Sequence, residues 1–113
     1  MKNKNQKSKG NYFEDKAVAY LQECGYLIVE RNFYAKKLGE IDIIVSKNGV
    51  FHFVEVKSGE SFEAVYNITP SKLSKLKRSV EYYLQTKKIE LPYCIDAIIF
   101  AGEELEFLEN ITL

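Results

Sequence analysis

Apolar residues change their spacing several times along this chain, and each change predicts an element. Phe13, Ala17, Leu21 and Cys24 recur at helical spacing from Asn11 until Gly25, so a first helix is expected there, with the glycine as its C-terminal cap. Tyr26 to Phe33 is β-branched and aromatic and reads as a strand. Two further runs, Ile41 to Ser46 and Val50 to Val56, flank Asn48-Gly49. That pair accepts the positive φ angles of a type I′ turn, so a β-hairpin is predicted. Ser58 to Asn67 has no period and reads as a loop beside the end of the hairpin, placed to close over a substrate. Thr69-Pro70 supplies a helix cap followed by proline at the first helical position, and Leu73, Leu76, Val80, Tyr83 and Leu84 form one apolar stripe behind it. Pro92 closes that segment, and Tyr93 to Phe100 reads as a buried strand interrupted by Asp96. After the Ala101-Gly102 turn, Leu105, Phe107, Ile111 and Leu113 alternate with polar residues, with Leu108 out of phase, as in a final strand at a sheet edge or a dimer contact.

The hairpin register follows from its turn. With Asn48 and Gly49 as loop residues, Lys47 faces Val50, and opposed positions sum to 97. Asp42 then lies opposite Glu55, and Glu40 opposite Lys57. Side chains alternate with period two, so these four charged groups are expected on one side of the sheet. Phe51, Phe53 and Ile44 share their parity, which puts the charges at the lip of a core. The opposite parity, with Ile41, Ile43, Val45, Val54 and Val56, is also apolar, the pattern of strands covered on both faces.

Directly opposed side chains have Cβ atoms roughly 4.5 to 5.5 Å apart. Two carboxylates ~5 Å apart at an effective dielectric of ~20 repel by roughly 3 kcal/mol. An ordinary cross-strand pair contributes only about 0.2 to 1 kcal/mol, so Asp42 opposite Glu55 has little structural purpose. A bound cation, a shared proton or Lys57 must offset the repulsion. The alternative is a rim salt bridge between Glu40 and Lys57, with Asp42 and Glu55 solvated or capped.

Asp42 followed by Glu55-Val56-Lys57 resembles the PD-(D/E)xK nuclease signature, here without its proline. Gly39-Glu40-Ile41-Asp42-Ile43-Ile44 with Phe53-Val54-Glu55-Val56-Lys57 is more closely similar to the YraN-like family of small bacterial proteins related to archaeal Holliday junction resolvases. The similarity extends over most of the chain. Gly10-Asn11-Tyr12-Phe13-Glu14 with Ala17, Tyr20 and Leu21 resembles the family's opening helix, although Phe13 stands where a glycine is usual. Ile68-Thr69-Pro70-Ser71-Lys72 and Tyr93-Cys94-Ile95-Asp96 resemble its second helix start and late strand.

The resemblance implies an α/β, restriction-endonuclease-like αβββαβ core, a mixed central sheet flanked by helices. It also implies a metal-dependent endonuclease acting on DNA, branched or otherwise structured, with a non-cleaving nucleic-acid-binding module of the same fold as the alternative. Asp42 and Glu55 would hold Mg2+ or Mn2+, since oxygen ligands suit hard cations, and the Val56 carbonyl could join them. Lys57 would orient or help deprotonate the attacking water, or stabilise charge on the phosphate. Glu14 matches the helix glutamate that completes the metal site in junction resolvases, yet Asn11-x-x-Glu14 also fits a reciprocal capping box. Glu40 would support Lys57 from behind, and Lys72 and Lys75 would contact nucleic acid. A homodimer would follow from a junction substrate, which needs two active sites.

Composition narrows the remaining choices. At 113 residues the chain suits one domain, expected over residues 10–113 behind a disordered, lysine-rich tail of residues 1–9. Net charge is zero, but 16 basic against 10 acidic residues through Lys88 give way to six acidic and no basic residues from Ile89 onward. A basic body with an acidic end is compatible with nucleic acid on one side, while the zero sum argues against tight nonspecific affinity. Cys24 and Cys94 are far apart within apolar patterns and read as core residues of a cytoplasmic protein. The single histidine, His52, alternates onto a face with Val50 and Val54, which argues against a zinc site and against a histidine-based triad. No apolar run is long enough to cross a membrane, and the N-terminus lacks the apolar segment of a signal peptide.

Overall fold

Asn48 and Gly49 both take positive φ, 54° and 80°, and fix the central hairpin as their identities require. In the computed structural model, residues 4–62 and 68–112 are described, with side chains from Tyr12 onward. Within these bounds lie α1 (Lys4–Glu23), β1 (Leu27–Tyr34), a short 3-10 turn (Lys36–Leu38), β2 (Glu40–Lys47), β3 (Val50–Gly59), α2 (Pro70–Lys87), β4 (Tyr93–Ala101) and β5 (Glu104–Leu108). The five strands form one sheet in the order β1-β2-β3-β4-β5. Only β3 and β4, joined through α2, run parallel; the other neighbours are antiparallel. This is the expected α/β, restriction-endonuclease-like αβββαβ core, extended by one edge strand.

The hairpin register is the expected one, from Lys47–Val50 to Ile43–Val54. Both faces of the sheet are covered. Ala17 and Leu21 of α1 pack on Ile43, Val45, Val54, Ile98 and Phe100. Val80 and Tyr83 of α2 pack on Ile41, Ile44, Phe53 and Ile95 on the other side. The expected cap on α2 is present, with Thr69 Oγ1 accepting the Lys72 N–H at 3.2 Å.

Strict alternation fails in one place. Ile41 and Ile43 have the same parity, yet Ile41 belongs to the α2-side core and Ile43 to the α1-side core. Beside them, Asn32 of β1 adopts φ 56°, and Phe33 turns onto Tyr83 of α2 with ring centroids 4.8 Å apart. Left-handed backbone in a strand rotates the following side chain out of phase; the β1–β2 register itself runs on unbroken past Asn32 and shifts only between Ile28 and Glu30. The first turns of β2 and the last of β1 therefore twist together, with Asp42 at the crossover.

Element ends also differ from the pattern. α1 begins at Lys4, inside the expected disordered tail, so Asn11 is an interior helical residue and cannot cap Glu14. The apolar stripe starts only at Phe13, and Lys and Gln before it are good helix formers that carry the helix further back. β3 continues through Ser58 and Gly59, paired with Phe100 and Ala101, where a loop was expected. Residues 63–67 of that loop and Leu113 lie outside the described residues. β5 ends at Leu108, and Ile111 returns to the sheet by donating its N–H to the Ile95 carbonyl. Among the described residues, no helix is long and apolar enough to cross a membrane.

Candidate active site

Ala17 and Leu21 face the sheet, so Glu14, one turn ahead of Ala17 on the same stripe, points toward the strand ends. Its side chain is mostly buried, and Arg31 of β1 approaches it at 3.6 Å while bonding Asp15 at 2.8 Å. Oε1 of Glu14 nevertheless has no hydrogen-bond partner. Arg31 was not singled out from the sequence. Its signal is its pairing with Ile43, which puts it on the α1 side beside Glu14.

Beyond the Ile43–Val54 pair, the Asp42 carboxylate takes the place of a backbone acceptor. Its Oδ2 receives the Val56 N–H at 2.9 Å. Burial raises the Asp42 carboxyl to about 7, with Glu55 adding to the rise, the Val56 N–H opposing it, and Glu14 and Glu40 adding smaller amounts. Glu55 is also raised by burial, against the lowering effect of Lys57, with Glu14 and Glu40 again contributing upward. Lys57 Nζ lies 3.3 Å from Glu55 Oε2. Glu55, Glu14 and Glu40 thus raise Asp42, and Glu14 and Glu40 raise Glu55, a rise that Lys57 opposes. The rim pairing of Glu40 with Lys57 is replaced by one within β3, between residues two apart on the same face.

Glu40, Glu55 and Lys57 line an open groove whose far wall is α2, contributing Lys72, Lys75, Leu76 and Ser79. Leu38, Gly39 and Ile68 complete it. Gly39 has φ 130° and ψ −159°, a region open essentially to glycine, and a Cβ there would stand 3.9 Å from Ser79 Oγ. Ser79 is fully buried and donates to the Lys75 carbonyl at 3.2 Å, so a small residue on α2 admits the approach of β2. Asp42 and Glu14 reach the cluster from the α1 side, whereas the lysines stand across the groove. Asp96 stands away from Glu55 and Lys57, on the α1 face, where it bonds His52 and accepts the Asn110 N–H.

A restriction-endonuclease-like sheet with acidic groups and a lysine at the splayed end of its hairpin defines the class of protein. The chain belongs to the family described as uncharacterised protein family UPF0102, the YraN family, whose model matches residues 13–100. It is 57% identical over 107 residues to the UPF0102 protein WS0451 of Wolinella succinogenes, covering 95% of this chain and 98% of that one. A UPF0102 protein of Helicobacter hepaticus is 56% identical over 109 residues, covering 96% and 98%. One from Helicobacter pylori, HPAG1_0809, is 48% identical over 110 residues, covering 97% and 96%.

Proposed function

We propose that this protein is a metal-dependent endonuclease acting in the cytoplasm on DNA, with branched or otherwise structured DNA as the preferred class. The observation that carries the reading is that burial raises both Asp42 and Glu55, with Glu55 raising Asp42 further, beside a buried Glu14 oxygen that makes no hydrogen bond. Buried carboxylates that oppose each other's charge fit a hard cation. The donor set is oxygen only, which suits Mg2+ or Mn2+.

Asp42, Glu55 and Glu14 would hold the ion, joined by the Val56 carbonyl. When bound, it supplies positive charge where the phosphodiester gains negative charge. Lys57 would orient the attacking water and donate a hydrogen bond to the phosphate. Glu40 lines the same groove as Lys57 and would support it from behind. Lys72 and Lys75, exposed across the groove, bind the backbone phosphates on either side of the scissile bond.

Incubation with junction, flap and single-stranded DNA in Mg2+ or Mn2+ tests this. Cleavage is expected from the wild type and lost in Asp42→Ala and Lys57→Ala; cleavage unchanged in those variants overturns it. A second reading is favoured by the Lys57–Glu55 ion pair, which occupies the lysine in the cation-free state. On that reading the groove binds nucleic acid without cutting, and affinity depends on salt but not on metal. If a four-way junction is the substrate, a homodimer is required to present two sites.

A further inference from the structure

We propose that His52, Cys94 and Asp96 form a second metal site, on the α1 face of the sheet and away from Glu55 and Lys57, and that it takes zinc. The parallel register sets His52 of β3 directly beside Cys94 of β4, with Asp96 two residues further along the same face. One histidine in the sequence argued against zinc, because neither β4 residue is near His52 along the chain.

The three ligand atoms lie within 4.8 Å of one another. His52 Nδ1 is 2.7 Å from Asp96 Oδ2 and 3.2 Å from Cys94 Sγ. Tetrahedral zinc at ordinary bond lengths separates a nitrogen from an oxygen by about 3.4 Å and from a sulfur by about 3.6 Å. Those two separations would need to open by well under 1 Å. Nδ1 carries one hydrogen, so it cannot serve both neighbours; a cation at their common centre can.

The ligands are also held from outside. Asn110 donates its N–H to Asp96 Oδ1 at 2.8 Å, which turns Oδ2 toward His52. Tyr26 packs edge-on against the imidazole, with centroids 5.0 Å apart. Asp96 is wholly buried and His52 nearly so. Such outer support is what orients ligands in metal sites. Zinc binding would release the Cys94 thiol proton to solvent and leave the imidazole proton on Nε2. Mixed sulfur, nitrogen and oxygen donors suit a borderline-soft ion and discriminate against Mg2+.

Chelator-treated full-length protein titrated with Co2+ tests the proposal. One equivalent should develop thiolate-to-cobalt absorption that zinc bleaches and excess Mg2+ does not. The band should vanish in Cys94→Ser and in His52→Gln, and persist in Cys24→Ser and in the Asp42→Ala, Glu55→Ala double variant. Zinc should raise the Tm of the wild type but not of Cys94→Ser. Absence of the band in the wild type would leave a hydrogen-bonded triad only, and its survival in Cys94→Ser, or its loss in Cys24→Ser, would equally overturn the site. Circular dichroism in chelator establishes that each variant is folded before titration.

Discussion

Asp42 reaches across the hairpin to Val56, its Oδ2 accepting the Val56 N–H at 2.9 Å one step beyond the last regular pair, Ile43–Val54. This bond holds a carboxylate in the sheet at the point where β2 changes face. The bond is satisfied by either protonation state, but the charge is not. The Asp42 carboxyl rises to about 7, well above the 3.8 of an unperturbed group. Between these values the folded chain keeps a proton that the unfolded chain has lost, so metal-free stability falls as pH rises through that window. Asp42→Asn keeps an acceptor for Val56 and removes the titration. In chelator, the variant should be more stable than wild type at pH ~8 by about 3 kcal/mol, with the gain disappearing at pH ~4. Thermal melts across that range check it, and a gain independent of pH would contradict it.

Glu14 lies inside α1, so the capping role that Asn11-x-x-Glu14 suggests is absent, and its buried Oε1, which Arg31 approaches at 3.6 Å, makes no hydrogen bond. Glu14→Gln should therefore weaken Mn2+ binding by about tenfold, roughly 1.4 kcal/mol. Metal-free stability should stay level or rise, because a charge that raises Asp42 and Glu55 is gone. A capping role predicts the reverse, a loss of about 1 kcal/mol with metal affinity unchanged. Calorimetric titration with Mn2+ and melts in chelator separate the two.

The sequence made the hairpin legible because Asn48-Gly49 sets register locally, and the Thr69-Pro70 helix start is equally local. What it hid depends on contacts between distant segments. The switch of Ile41 to the α2 side needs Asn32 in the left-handed region on a neighbouring strand. Lys88 closes α2 in that same conformation without a glycine to signal it. The position of Cys94 and Asp96 beside His52 needs the parallel β3–β4 register, which is reached only after α2 has crossed over. The turn sets Asp42 opposite Glu55 as side chains on one face, whereas the regular β2–β3 register stops at Ile43–Val54. In the fold they meet where the faces exchange, and Lys57 turns to Glu55 instead of Glu40.

Lys72 and Lys75 stand one turn apart across the groove from Glu55 and Lys57. As phosphate contacts they act without reading sequence. Replacing both with alanine should weaken DNA binding uniformly across sequences and reduce the slope of log affinity against log salt by about 2. Lys77 and Arg78 line a different surface with Pro70, Leu73 and Glu81, so the same double replacement there should leave the slope nearly unchanged. Fluorescence anisotropy over a salt series measures both. Equal slopes for the two double variants would remove the groove from the binding surface.

Gly39 joins the 3-10 turn to β2 immediately before Glu40, with φ 130° and its Cα facing buried Ser79. An alanine there must either hold a conformation that side chains avoid or rotate the chain that carries Glu40 and Asp42. Holding it costs about 1 to 3 kcal/mol. Gly49 supplies the control, since it also has positive φ but nothing lies within 4 Å of an added Cβ. Gly39→Ala should be the more damaging of the two in chemical denaturation, and it alone should reduce Mn2+ affinity, because Glu40 and Asp42 follow it. If both replacements lower stability without touching metal affinity, the β2 entrance is a structural joint and does not set the position of the carboxylates.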